Sequence, residues 1–199
     1  MSEKEITLAS NNKEKLREIK NILSKYNIKV ISQKEAGYDI DVEETGKTFE
    51  ENAILKAETI FKKLKKPVIS DDGGLEIDVL NGEPGVYSKR YAGENATDED
   101  RINKILRKMK DIEYKNRTAR FICAICFINQ NGEKHIFKES CEGIIINNPR
   151  GENGFGYDSI FLYEEKTFAE MTEEEKDKVS HRGKALESLA NYIEKNSIK

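Results

Sequence analysis

Apolar residues recur along the chain with two spacings, and the switches between those spacings predict most of the elements. Ile6-Thr7-Leu8-Ala9 reads as a first strand. Ser10, Asn11 and Asn12 follow as helix-capping residues, and Leu16, Ile19, Ile22 and Leu23 repeat at helical spacing to about Lys25. Residues 28–31 read as a second strand. Thr48 and Glu51 have the spacing of a capping box. Phe49, Ala53, Ala57, Ile60 and Leu64 then give the apolar face of a second helix. Asn52 and Lys56, four apart, share a different face of it. Pro67 separates this helix from Val68-Ile69, a short buried strand. Asp71, Asp72, Gly73 and Gly74 read as a turn at its end. Leu75, Ile77 and Val79 then alternate with Glu76 and Asp78 as a half-buried strand.

Asn81-Gly82 and Pro84-Gly85 are turn signals. Thr97 caps a third helix, with Asp100 at the box position and Ile102, Ile105, Leu106 and Met109 apolar. Residues 120–128 and 134–146 read as an antiparallel pair joined through Asn129-Gln130-Asn131-Gly132. A glycine-rich turn holds Gly151, Gly154, Phe155, Gly156, Tyr157 and Asp158, and Ile160-Phe161-Leu162 resumes as strand. Thr172 and Glu175 cap a short helix to Val179. Ser180-His181-Arg182-Gly183 interrupts the pattern before Leu186, Leu189, Ala190 and Ile193 mark the last helix. Without repeat or long linker, residues 1–199 form a single expected domain. The expected class is α/β: a mixed sheet with helices on both faces, in two lobes.

The 199 residues carry a net charge of −3 with both signs abundant, which argues against a dedicated duplex nucleic-acid binder. The longest apolar run, residues 121–128, is too short to span a bilayer, so no membrane partner is expected. Met1-Ser2-Glu3-Lys4-Glu5 has no apolar signal core, and the cysteine count of three is odd. Both point to a reducing, cytoplasmic setting. Cys123-Ala124-Ile125-Cys126 spells C-x-x-C, but three positions along a strand turn the sulfurs to opposite faces. Buried core cysteines are the expectation.

Asp71 and Asp72 are the first candidate chemistry. Adjacent carboxylates repel unless a positive group lies near, and a divalent cation takes such oxygens. A solvated Asp-Gly turn is the competing reading. Free N–H groups at the first helix's start, beside Lys13 and Lys15, make a workable phosphate site, although no P-loop motif is present. The charges of a solvated helix would look the same. Phe155, set between glycines, could stack on a flat ligand or cover a core. His135 carries no assignment.

Taken in order, these stretches resemble the nonstandard purine nucleoside triphosphate pyrophosphatases, the inosine triphosphatase-like or dITP/XTP pyrophosphatase family. The residues that carry the resemblance are 8–15, Glu43-Glu44-Thr45-Gly46, 49–57, Ser70-Asp71-Asp72-Gly73-Gly74-Leu75, Gly85-Val86-Tyr87-Ser88, Gly154-Phe155-Gly156-Tyr157-Asp158, and 171–182. The resemblance implies an elongated mixed sheet, two lobes with an active-site cleft between them, and a homodimer. It implies Mg²⁺-dependent hydrolysis of ITP, dITP or XTP to monophosphate and pyrophosphate, cleansing the nucleotide pool. Asp72 is then the catalytic carboxylate and a metal ligand, with Glu43 the second metal carboxylate. Ser10, Asn11, Asn12, Lys13, Glu14, Lys15 and Lys56 face the phosphates. Gly73, Phe155, Gly156, Tyr157, Asp158, Lys176, His181 and Arg182 surround the nucleotide. The family usually has Thr-Gly-Asn where Ser10-Asn11-Asn12 stands, so Asn11 is expected in a tight turn. It usually has Ser where Gly73 stands, which removes a hydroxyl.

On that reading Asp72 orients or deprotonates a water aimed at the α-phosphorus, while lysines meet the charge developing on pyrophosphate. Lys176, His181 and Arg182 supply donors suited to a 6-oxo purine and not to adenine's amino group. The rivals are a general phosphatase releasing orthophosphate and a nucleotide-binding module without turnover.

Overall fold

The computed structural model describes residues 4–196. Residues 1–3, where the stretch lacking a signal core begins, and residues 197–199, the end of the expected domain, lie outside the described residues. The elements run β1 (Lys4–Leu8), α1 (Lys13–Ser24), β2 (Ile28–Ser32), α2 (Phe49–Leu64), β3 (Val68–Ile77) and α3 (Asp98–Lys108), then β4 (Thr118–Ile128), β5 (Lys134–Ile145), β6 (Phe161–Tyr163), β7 (Lys166–Thr167), α4 (Glu173–Val179) and α5 (His181–Lys195).

The strands form a seven-stranded sheet in the order β2-β1-β3-β4-β5-β6-β7. β1 is parallel to both β2 and β3, while β6 is antiparallel to β5 and β7. The sheet is therefore mixed, as expected. The parallel part follows from the early strand–helix alternation, because parallel neighbours need a crossover and a helix provides it. The helix starts follow from local chemistry: Asn12 Oδ1 accepts from Lys15 N, and Thr48, Thr97 and Thr172 each accept from the backbone three residues on.

Packing divides the chain into two compact units. One runs through Asp72 and includes Cys123–Glu139 and the chain from Arg182; the other holds Gly73–Ile122 and Ser140–His181. The core of the first is built from Ile6 and Leu8 of β1, Ile19 and Leu23 of α1, Ile125 and Phe127 of β4, and Leu186 and Leu189 of α5. The core of the second gathers Leu75, Ile77, Ile105, Phe121, Phe161 and Phe168, with the Phe121 and Phe161 ring centroids 4.6 Å apart. Cys123 and Cys126 are free, buried thiols, as the strand reading expects.

Three local expectations need correction. The Asp71–Gly74 segment is not a turn: β3 runs unbroken through it. Gly74 serves close approach instead. A Cβ on Gly74 would lie 2.2 Å from Ser88 Oγ and 2.8 Å from Gly85 O. That Ser88 hydroxyl accepts from Leu75 N at 3.0 Å and donates to Gly85 O at 2.6 Å. Second, the strand stops at Ile77, and Val79 is 38 % exposed in a 3₁₀ turn. The left-handed Asn81 and Gly82 reverse the chain there, with Gly82 N donating to Ile77 O. Third, only Ser180 breaks the last helical pattern; its extended backbone ends α4 and α5 begins at His181. Gly74→Ala should therefore destabilise by about 1–3 kcal/mol through overpacking against Ser88. A urea midpoint unchanged from wild type would contradict that packing account.

Candidate active site

In the first unit, β3, α2 and the loop before α2 bring one lysine and two carboxylates together. Lys56 lies four residues after Asn52, on the α2 face that also carries that buried amide. Its Nζ donates to Glu44 Oε1, Asp72 Oδ1 and Asp71 O, each at 2.8 Å. An ammonium has three donors, so these acceptors use them all. Asn52 Nδ2 donates to the other Asp72 oxygen at 3.3 Å, and Asn52 Oδ1 accepts from Gly46 N at 2.8 Å. The amide thus ties the loop carrying Glu44 to the strand carrying Asp72.

The electrostatics of this group are opposed. Burial pushes the Asp72 carboxyl up, and Glu44 adds to that, against the pull of Lys56 and Lys15. Burial also disfavours the Lys56 cation, but Asp72 and Glu44 outweigh it and hold the ammonium above its ordinary range. Glu44, despite burial, is held low by Lys56. The carboxylate that joins Asp72 is therefore Glu44, while Glu43 is exposed on the same loop.

Asp71 is the centre of a second set of bonds in the same unit. Its side chain is buried and takes Arg182 Nε at 3.0 Å, Arg182 Nη2 at 3.5 Å, the Cys123 thiol at 3.0 Å, and the Lys15 ammonium. Burial alone would raise its pKa; Arg182 and Lys15 reverse that and hold the carboxyl well below the usual range. The Arg182 guanidinium also meets Glu18 Oε2 at 2.6 Å. It is thus engaged by two acids of the first unit.

The polar segment before α1 is built by its own side chains. Ser10 Oγ accepts from Asn12 N at 3.2 Å, and Asn12 caps the helix. Lys13 and Glu14 are exposed in the first turn. Asn11 corrects an expectation: it is not among the described residues with positive φ. Its side chain instead donates to Ile40 O at 3.2 Å and accepts from Gln33 Nε2 at 2.8 Å. The amide, and not a left-handed backbone, holds the turn.

In the second unit, the residues from the glycine-rich turn meet α4. Lys176 Nζ donates to Asp158 Oδ2 at 2.7 Å and lies over the Phe155 ring, 5.2 Å from its centroid. The same Asp158 oxygen accepts from Phe155 N at 3.0 Å. Gly154 and Gly156 both have positive φ, and a Cβ on Gly154 would fall 2.0 Å from Asp158 Oδ2. Tyr157 is buried, its hydroxyl donating to Ser88 O at 2.7 Å. His181 is also buried; its ring stacks on Phe121 at 4.8 Å and 10°. Gly73 is half-buried within β3.

Sequence reasoning placed Glu43 and Glu44 on a loop that could reach Asp71 and Asp72, and Glu44 joins the Lys56 cluster; Glu18, which it left out, belongs to the set around Asp71 through Arg182. Asn52 was visible there only as a spacing. Among the described residues, no group of three or more His, Cys, Asp or Glu side chains is placed to hold a metal ion. The donor set still fits Mg²⁺, which typically takes one or two carboxylates and completes its shell with water and substrate phosphates. Asp72 and Glu44, sharing one ammonium, offer that pair.

This fold and charge set define an α/β protein with a carboxylate–lysine cluster suited to phosphate chemistry. The chain belongs to the Ham1 family, whose model matches residues 6–192. It is similar to a dITP/XTP pyrophosphatase of Clostridium perfringens, 48 % identical over 198 residues, covering 96 % of this chain and 97 % of that one. A dITP/XTP pyrophosphatase of Bacillus subtilis is 48 % identical over 193 residues, covering 96 % and 98 %. The solved Ham1 protein of Staphylococcus aureus matches with a TM-score of 0.86 at 47 % identity, covering 97 % of this chain and all of that one.

Proposed function

We propose that this protein hydrolyses nonstandard purine nucleoside triphosphates, among them dITP and XTP, to the monophosphate and pyrophosphate. The observation that carries the reading is the Lys56–Asp72–Glu44 cluster, in a chain 48 % identical to a dITP/XTP pyrophosphatase over nearly its whole length. Asp72 is the base. Lys56 and Asn52 each hold one of its oxygens, so the carboxylate is aimed and its rotamer fixed. Burial raises its affinity for a proton, which brings a carboxylate closer to the range where it can take one from water. Lys15 and the N-terminus of α1 supply positive potential for the phosphates. When bound, Mg²⁺ would offset the charge on the triphosphate oxygens, with Asp72 and Glu44 as the residues to hold it.

For the base, Phe155 offers a stacking face and Lys176 a donor. Stacking accepts any purine, whereas a donor favours a 6-oxo group over adenine's amino group. Acids hold both residues, Asp158 for Lys176 and Asp71 with Glu18 for Arg182, but Lys176 lies over the Phe155 ring and is the stronger candidate for that contact. A homodimer and a cytoplasmic location complete the reading.

The test is a nucleotide panel in ¹⁸O-labelled water with pyrophosphate and orthophosphate measured separately. The expected result is label in the monophosphate, pyrophosphate as coproduct, and kcat/KM for ITP and XTP far above that for ATP. Labelled orthophosphate would establish a general phosphatase, and binding without turnover a regulatory module.

A further inference from the structure

We infer that Asp98, the first residue of α3, is a positioning residue that holds the Phe155 ring in place for the purine. The inference rests on the stacking role given to Phe155 above. Phe155 sits between two glycines of positive φ, so its own backbone does little to fix where the ring points. Two carboxylates supply what the glycines remove. Asp158 accepts from Phe155 N at 3.0 Å, and Asp98, from a distant part of the second unit, accepts from Gly156 N at 2.6 Å. Consecutive amides, on either side of the Phe155 carbonyl, are thus each held by an acid.

Asp98 is itself held. Its other oxygen pairs with Arg101, whose Nη1 donates to Lys89 O at 3.0 Å and Ala96 O at 2.6 Å. Thr97 and Asp100 cap α3 by themselves, so Asp98 is not needed to start the helix. Lys176 lies over the Phe155 ring at 5.2 Å, so a tilt of the ring would disturb that contact as well. A charge-assisted bond to an amide is among the stronger hydrogen bonds, which suits a loop that must keep one shape.

The test compares Asp98→Ala, Asp98→Asn and Phe155→Ala, singly and with Asp98→Ala combined with Phe155→Ala. Asp98→Ala should raise KM for ITP about tenfold, the loss of one bond of roughly 1.5 kcal/mol, with kcat nearly unchanged. Asp98→Asn keeps one acceptor for Gly156 N but turns its NH₂ toward Arg101, so it should recover part of that loss. In the Phe155→Ala background Asp98→Ala should cost little more, because the two act as one unit. Amide exchange at residues 154–157 should quicken in Asp98→Ala and less so in Asp98→Asn, whether or not turnover is measured. Full additivity of the two losses, or Asp98→Asn as impaired as Asp98→Ala, would overturn the inference. If Phe155→Ala leaves KM unchanged, the stacking reading fails at its own step, and the positioning role falls with it.

Discussion

Asp72→Asn should fold and melt like wild type, or slightly above it, and lose about 10²–10³ of its turnover. On the proposed reading the rate loss follows from removing the proposed base and one oxygen of the proposed metal pair while keeping the side-chain shape. The stability follows from the direction of the pKa. Burial raises the Asp72 carboxyl, so folding disfavours its charge, and a neutral amide escapes that cost. Lys56 would still have Glu44 and the Asp71 carbonyl. Thermal melting beside pyrophosphate release checks both halves. Near-wild-type turnover would remove Asp72 from the chemistry, and a large drop in melting would make it structural.

The neighbouring carboxylate should behave in the opposite way. Asp71→Asn is expected to cost about 3–5 kcal/mol, because it leaves the buried Arg182 charge, and the half-buried Lys15 beside it, short of a partner. The folded pKa of Asp71 lies below its unfolded value of about 3.9, so its contribution is fully present above that pH. It fades as pH falls toward the folded value. The gap in urea midpoint between wild type and Asp71→Asn should therefore be widest at neutral pH and close under acid. A gap that stays constant from neutral pH down through the acid range would exclude the ion pair as its source.

Much of the fold was legible because its signals are local. Thr48, Thr97 and Thr172 cap helices where a Thr followed by an acid three residues on says they should. The Asn52–Lys56 spacing likewise pointed to a shared polar face. What could not be read was set by contacts far apart in sequence. Asp-Asp-Gly-Gly has turn chemistry, yet β3 runs through it because the glycine admits Ser88, and nothing near Gly74 announces that residue. Arg182 meets Asp71 across 111 positions, a pairing that no local pattern announces. Glu43 and Glu44 are identical neighbours in a loop, where no periodicity tells which one turns inward. Only the Asn52–Gly46 bond and the reach of Lys56 decide it.

The thiol of Cys123 donates to Asp71, and burial followed by that same carboxylate pushes its pKa well up. Sulfur attacks electrophiles as thiolate, so the folded chain presents almost none of the reactive form at this position. An alkylating reagent would have to wait for the first unit to open before it could modify Cys123. The rate of its alkylation is thereby a built-in clock for rare excursions of the Asp71 network, read without any dye, denaturant or substrate.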